Sequence, residues 1–119
     1  MTATIEDVKE YWNRQPCNVK HSKKEVGTRE YFEEVERKRY TAEPHIPRFA
    51  NFPAWKGKKV LEIGCGLATE GINFAHDGAD YTATDLSAES LDLAKKRFEV
   101  YNREGKFYQG NAEELDSFL

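Results

Sequence analysis

The sequence predicts an α/β fold in which helices alternate with the strands of one parallel sheet. From Lys58 onward, apolar runs of strand length alternate with longer amphipathic segments of helix length. Strands that are separated by helices are joined by right-handed crossovers and therefore lie parallel. The 119 residues suffice for one core. We divide the chain into an N-terminal helical cap region, residues 1–56, and a sheet region, residues 57–119.

The cap region is predicted to hold two helices and a connector. Apolar residues recur at helical spacing before Pro16, which ends the first segment. The second helix spans residues 29–40 and opens after Thr28. The connector contains three prolines and is predicted to form one helical turn around residues 46–49. The apolar side of the second helix carries Phe32, Val35 and Tyr40.

Three strands and two connecting helices are predicted in the sheet region. The helix after the first strand spans residues 68–76 and stops at Asp77 and Gly78. Ser87 is predicted to cap the second helix, and residues 111–119 begin a further helical pattern. The strands span residues 59–63, 80–84 and 106–109. The second helix turns one face to the core: Leu91, Ala94, Phe98 and Tyr101.

Two glycines, Gly64 and Gly66, stand one residue apart directly after the first strand. A glycine there permits positive φ and lets a ligand approach the backbone without meeting a Cβ. The helix that follows points its free N–H groups to the same place. A dinucleotide fingerprint would need a third glycine where the chain has Thr69, and Gly71 comes two residues late. A pyrophosphate ligand is therefore disfavoured.

Polar residues stand at the ends of the other two strands. Asp85 follows the second strand and Asn111 the third. Because the carboxyl ends of parallel strands meet at one edge, both are expected beside the glycine pair. A carboxylate only accepts hydrogen bonds, so Asp85 suits two ribose hydroxyls and would repel a 2′-phosphate. Glu62, within an apolar run, needs a partner unless it is a solvated strand residue.

Three motifs of the sheet region resemble those of class I S-adenosylmethionine-dependent methyltransferases. They are VLEIGCG, TATDLS and QGNAEEL, and they occur in the order of the family's first three motifs. The resemblance covers residues 58–116 and implies a Rossmann-like half-sheet of three strands in the order 3-2-1, with N-terminal helices. It also implies S-adenosylmethionine as the cofactor and S-adenosylhomocysteine as its product.

The resemblance assigns cofactor-binding roles on the methionine side of the cofactor to the first motif. It implies that Glu62 helps to fix the methionine end. The loop formed by Gly64, Cys65 and Gly66 is then expected to run beneath the methionine and ribose portions. No catalytic residue is assigned by these motifs.

The second and third motifs are assigned to the nucleoside by the same resemblance. Asp85 is implied to accept hydrogen bonds from both ribose hydroxyls, and Leu86 to pack on the adenine. Asn111 and Ala112 are implied to lie at the adenine edge. The family often has aspartate where this chain has Asn111, and an amide keeps only one of the two acceptors.

Aromatic residues of the cap region are weaker candidates for the site. If the N-terminal helices fold over the cofactor, Tyr11 or Tyr40 faces the sulfonium, where an aromatic ring favours a cation. Core packing is the commoner role of such residues. Arg39 meets a carboxylate of cofactor or substrate, or else lies on the surface.

Methyl transfer to an N, O, S or C nucleophile is the predicted reaction, and the sequence identifies neither the acceptor nor a catalytic base. The alternative is a non-catalytic module that binds S-adenosylmethionine or S-adenosylhomocysteine, or one subunit of a split enzyme. A nicotinamide-dependent oxidoreductase ranks below both.

Residues 60–63 of the first strand read as central, yet three strands in this order leave the strand's outer edge unpaired. Three arrangements account for this: a truncated chain, a complementary chain that completes the sheet, or pairing with a second copy. We expect self-association, because it closes the edge by symmetry.

Charge and cysteine content exclude several classes of protein. The net charge is −3 and the basic residues are dispersed, so no nucleic-acid partner is expected. No stretch is apolar enough for a membrane span. The three histidines share no ligand spacing, so no metal site is predicted. Cys17 and Cys65 fit no zinc spacing, and we expect reduced thiols in a cytoplasmic protein.

Overall fold

The structure, a computed structural model, describes residues 24–111. Its strands form a parallel sheet in the order β1-β2-β3, which confirms the predicted order and the α/β class. No helix within the described range is long and apolar enough to cross a membrane. The elements, in chain order, are α1 (Arg29–Ala42), α2 (His45–Ala50), a 3-10 helix (Phe52–Trp55), β1 (Lys59–Ile63), α3 (Thr69–His76), β2 (Asp80–Asp85), α4 (Ala88–Val100) and β3 (Lys106–Gln109).

The predicted bounds of these elements agree closely with the structure. β1 and β3 have the predicted bounds, and α1 extends two residues further than predicted, to Ala42. The inclusion of Ala68 in α3 is wrong, because Ala68 has a left-handed φ of +56° and stands at the N-cap. Ser87 caps α4 as predicted, since its side chain accepts from the Ser90 N–H at 3.1 Å. The predicted helix before Pro16 lies outside the described residues.

The two faces of the sheet differ in how they are covered. α3 and α4 pack on one face, where Tyr81 and Ala83 are fully buried. On the other face Leu61 is 42% exposed, Ile63 51% and Tyr108 37%. The first strand, which reads as central in the sequence, is therefore exposed on this face, because no helix between residues 24 and 111 covers it.

α1 joins the sheet region through a second, smaller core. Its buried residues Tyr31, Phe32 and Val35 pack against Leu67 in the loop between β1 and α3. Thr28 begins the helix, with its hydroxyl accepting from the Tyr31 N–H at 3.2 Å. This packing places α1 next to the glycine-containing loop.

Candidate functional site

The carboxyl ends of the three strands surround one cleft with a volume of about 450 Å³. The loop after β1, the end of β2 and the residues beyond β3 all line it. A cleft of this size is typical of small-molecule sites. Seven of the residues predicted from the sequence line this cleft: Glu62, Gly64, Cys65, Gly66, Asp85, Leu86 and Asn111.

The loop between β1 and α3 follows a path that requires glycine. Gly64 has a φ of +72° and Gly66 a φ of +55°, in the left-handed region that other residues rarely adopt. The N–H groups of Gly64 and Cys65 both donate to the Thr84 carbonyl of β2, at 2.9 and 3.1 Å. A Cβ built on Gly64 would meet no atom within 4 Å. The backbone conformation, and not close packing, therefore requires Gly64, and the loop is open to the cleft.

Asp85 is held in place by two backbone groups. The Gly66 N–H donates to its Oδ2 and the Ser87 N–H donates to its Oδ1, both at 2.9 Å. Each carboxylate oxygen can accept a second hydrogen bond. Asp85 thus fixes the glycine loop against β2 and still offers two acceptor positions at the cleft.

Glu62 lies within an apolar run, where a carboxylate needs a hydrogen-bond partner, and the structure supplies one. The Tyr81 hydroxyl on β2 donates to Glu62 Oε1. Burial raises the pKa of Glu62 to about 7, the hydrogen bond from Tyr81 opposes this rise, and the charge of Glu70 adds to it. Glu62 therefore titrates close to neutral pH.

A bidentate ion pair joins α1 to α3 at the wall of the cleft. Arg39 Nε donates to the two carboxylate oxygens of Glu70 at 3.1 and 3.0 Å, and Arg39 Nη2 donates to Oε1 at 2.5 Å. Hydrogen bonding to Glu70 raises the pKa of Arg39. Arg39 thus lies at the cleft wall, and its contact with a carboxylate of cofactor or substrate stays a prediction.

Of the two aromatic cap candidates, the structure describes Tyr40, which does not line this cleft. Tyr40 lies behind the ion pair, where its hydroxyl accepts from Asn73 Nδ2 at 3.3 Å and donates to the Thr69 carbonyl at 3.4 Å. Burial raises the pKa of Tyr40. Tyr11 and Ala112 lie outside the described residues, and their predicted roles stay predictions.

Arg97 of α4 supports the loop from behind and was missed in the sequence. It is 1% exposed. Its Nη1 donates to the Leu67 carbonyl at 3.1 Å and to Thr69 Oγ1 at 2.8 Å, while Nη2 donates to the Phe32 carbonyl at 3.0 Å. Burial lowers the pKa of Arg97. The signal in the sequence was weak, because an arginine beside the apolar Phe98 also fits an exposed helix flank.

Several other residues of the cleft wall were not named from the sequence. Glu70 and Thr69 come from the first turn of α3, and Ser90 from the first turn of α4. These residues could have been predicted only from their position a few residues after the first and second motifs. The remaining unpredicted residues of the wall are Ile63, Leu67, Thr84 and Gly110.

Cys65 contributes a shielded thiol to the loop. It is unpaired and 8% exposed, and its Sγ lies 3.5 Å from the Gly66 carbonyl oxygen. Burial raises the pKa of the thiol, and the charges of Asp85 and Glu62 raise it further. Between residues 24 and 111, no group of three or more His, Cys, Asp or Glu side chains is placed to hold a metal ion.

The sequence is similar to known methyltransferases over its second half. Residues 60–118 match a family model described as a methyltransferase domain. A protein of Geobacillus sp. (strain WCH70) named as a methyltransferase is 33% identical over 61 residues, which cover 51% of this chain and 25% of that protein. A ubiquinone biosynthesis O-methyltransferase of Pectobacterium carotovorum is 46% identical over 39 residues, covering 33% of this chain and 16% of that protein.

Solved structures share the fold over most of the chain. A magnesium protoporphyrin IX methyltransferase from Synechocystis PCC 6803, solved with bound SAM, aligns with a TM-score of 0.68 at 18% identity, covering 97% of this chain and 59% of that one. The PH0226 protein from Pyrococcus horikoshii OT3 aligns with a TM-score of 0.57 at 22% identity, covering 89% and 44%. The chain thus spans less than two thirds of each of these relatives.

Proposed function

Because the chain belongs to the class I S-adenosylmethionine-dependent methyltransferases, we propose that its cleft binds S-adenosylmethionine and that it takes part in methyl transfer to a substrate nucleophile. The hydrogen bonding of Asp85 carries this proposal. Each of its carboxylate oxygens accepts one backbone N–H beside the glycine loop, and each can accept one more hydrogen bond from a ligand. Two ribose hydroxyls need such a pair of acceptors.

The remaining residues of the cleft fit the other parts of this cofactor. The open backbone at Gly64 accommodates the methionine and ribose portions without meeting a side chain. Leu86 supplies apolar contact for the adenine, and Asn111 supplies one amide acceptor at its edge. These assignments follow the motifs and agree with the side chains' places in the cleft.

Charge in the cleft favours a cationic ligand. Three carboxylates, those of Glu62, Glu70 and Asp85, line it together with the single guanidinium of Arg39. Arg39 is already engaged by Glu70. Glu62 and Asp85 therefore leave the cleft with negative charge, which favours a ligand that carries an ammonium group and a sulfonium.

The chain's contribution to catalysis is to bind and orient. When bound, S-adenosylmethionine supplies an activated methyl group on sulfur, and a neutral thioether is left behind. The loop and Asp85 hold the nucleoside, which fixes the position of the transferred group relative to an acceptor. No residue is assigned as a catalytic base, and the acceptor stays unspecified. A non-catalytic binding subunit is the alternative.

We further propose that residues 1–56 act as a cap over the cleft formed by the sheet region. The place of Arg39 on the cleft wall supports this, since α1 then contributes directly to the site. Tyr40, one residue later, is hydrogen-bonded behind the wall and stabilises the contact between α1 and α3.

Self-association, or pairing with a complementary chain, is proposed for the outer edge of β1. In the described sheet β1 pairs only with β2, and Leu61 and Ile63 expose apolar surface beside this edge. Exposed apolar edges favour further strand pairing. Analytical ultracentrifugation of the full chain at micromolar concentration tests this, and a monomer across the range would contradict self-pairing.

The free thiol of Cys65 supports a reducing, cytoplasmic compartment.

Calorimetry on the full chain tests the cofactor site. We expect binding of S-adenosylmethionine and S-adenosylhomocysteine, no binding of NADH, and weaker binding by Asp85→Ala. Asp80→Ala is the matched control, because Asp80 lies at the other end of β2, away from the cleft. Absence of binding to both adenosyl ligands, or equal effects of the two substitutions, would contradict the proposal. A methyl-transfer assay then separates an enzyme from a binding subunit.

A further inference from the structure

Tyr81 is fixed next to Glu62 although it lies outside the predicted motifs. It is 1% exposed and pairs in register with Val60, so its side chain lies on the same face of the sheet as Glu62. Its ring stacks on Phe98 with centroids 5.4 Å apart, and Phe107 packs edge-on at 6.2 Å. The phenol is therefore held in one place, with its hydroxyl on the Glu62 carboxylate.

Gly71 in α3 gives this phenol its room. A Cβ built on Gly71 would lie 2.3 Å from both Cζ and Oη of Tyr81. Glycine weakens a helix, so its presence inside α3 needs a separate reason. The phenol supplies that reason, and it explains a glycine that does not fit the dinucleotide fingerprint.

We propose that Tyr81 is a positioning residue that orients the Glu62 carboxylate toward the ammonium group of the cofactor's amino-acid end, with Gly71 providing the space. The inference rests on the proposed cofactor site. The phenol takes one lone pair of Oε1, so the carboxylate is fixed and Oε2 is left to accept from a ligand.

The phenol also favours the charged form of Glu62. Burial and the charges of Glu70 and Asp85 favour the protonated carboxyl, while the Tyr81 hydrogen bond and the charge of Arg39 favour the carboxylate. Tyr81 itself stays a donor, because burial and the charge of Glu62 raise its pKa. The titratable groups that face Glu62 come from α1, the loop, α3 and β2: Arg39, Cys65, Glu70, Tyr81 and Asp85.

Tyr81→Phe tests the proposal, since it removes one hydroxyl and keeps the ring. The affinity of the full chain for S-adenosylhomocysteine is measured by calorimetry from pH 6 to 9. The wild-type affinity is expected to fall as the pH drops through about 7. In Tyr81→Phe this midpoint rises by about one pH unit or more, with roughly tenfold weaker binding at pH 7 and a smaller loss at pH 9. The ligand's own amino group titrates identically in both proteins.

A purely structural role of Tyr81 would weaken binding by the same factor at every pH, and that result overturns the proposal. So does a midpoint that moves by less than half a unit. Tyr108→Phe, on the uncovered face of the sheet, is the matched control and leaves the midpoint unchanged. In a Glu62→Gln background, Tyr81→Phe causes no further shift.

A ligand-free measurement separates this inference from the proposed function. The Glu62 carboxyl is titrated by carbon NMR in wild-type protein, Tyr81→Phe and Gly71→Ala. The Gly71→Ala variant keeps the tyrosine in the sequence but displaces its hydroxyl, because the added Cβ occupies the space of the phenol. Both substitutions are expected to raise the midpoint of Glu62. If they do and no adenosyl ligand binds, the cofactor site fails and with it the orienting role. If they leave the midpoint unchanged, the Tyr81 role fails even where the ligand binds.

Discussion

Arg97→Met is expected to lower the free energy of unfolding of the full chain by about 4 kcal/mol. Methionine keeps the apolar stem of the side chain but cannot donate to the carbonyls of Leu67 and Phe32 or to Thr69 Oγ1. Three hydrogen bonds from a charged donor contribute roughly 1.5 kcal/mol each at the lower end of the usual range.

The lower end of the range of hydrogen-bond free energies is appropriate, because burying this guanidinium is unfavourable. Arg97 Nε has no hydrogen-bond partner in the described structure, and the acceptors of Nη1 and Nη2 are neutral oxygens. Burial of a charge costs several kcal/mol before its partners offset it. The predicted loss is therefore smaller than a sum of strong charge-assisted bonds, yet still larger than the effect of an exposed arginine.

Urea unfolding followed by circular dichroism measures this effect, with the m-value as a check that the same surface unfolds. Arg97→Lys is expected to lose about half as much, since an ammonium keeps the charge and reaches fewer of the three acceptors. Arg103→Met is the control, because Arg103 makes one exposed hydrogen bond to His76. A loss of unfolding free energy below about 1 kcal/mol in Arg97→Met would refute the reasoning. It would mean that the three hydrogen bonds of Arg97 only offset the free energy needed to bury its charge.

Three further predictions follow from individual contacts. Asp85→Ala is expected to weaken adenosyl-ligand binding by about 1–3 kcal/mol in calorimetry, because the ribose hydroxyls lose a charged acceptor and the Gly66 N–H loses its partner; unchanged affinity would contradict the ribose assignment. Glu62 holds its proton more tightly in the folded chain, with a pKa of about 7 against an ordinary 4.5, so the unfolding free energy should fall as pH rises between these values, by up to about 3 kcal/mol. Urea titrations at several pH values should show a flatter profile for Glu62→Gln, and parallel profiles would exclude Glu62 as the source. Tyr31→Phe is expected to stabilise the chain by about 1 kcal/mol in the same assay, because the Tyr31 hydroxyl is buried with no hydrogen-bond partner in the described structure; a loss of stability would show that this hydroxyl is satisfied.

The strands and the loop were predictable because their signals are local. The bounds of β1 and β3, the cap at Ser87 and the positive φ of Gly64 each follow from a few consecutive residues. Parallel strands then bring Asp85 and the loop to one edge without further information. The convergence of the strand ends was accessible from sequence for this reason.

The groups that support the cleft were not predictable, because their partners are distant in the chain. Arg97 reaches a carbonyl on α1 that lies 65 residues away, and its own neighbours in α4 do not indicate burial. Tyr81 and Gly71 explain each other only once β2 and α3 are packed together. The exposure of Leu61 was likewise hidden, since an apolar strand residue reads as buried whether or not a helix covers it.

The shielded thiol of Cys65 can report on the conformation of the loop between β1 and α3. At neutral pH a buried thiol with a raised pKa carries almost no thiolate, which is the form that alkylating reagents attack. Modification at this position therefore requires the loop to open first. In a Cys17→Ser background, the rate of iodoacetamide labelling thus measures how often the segment between β1 and α3 leaves its closed conformation, and an occupied cleft should slow it.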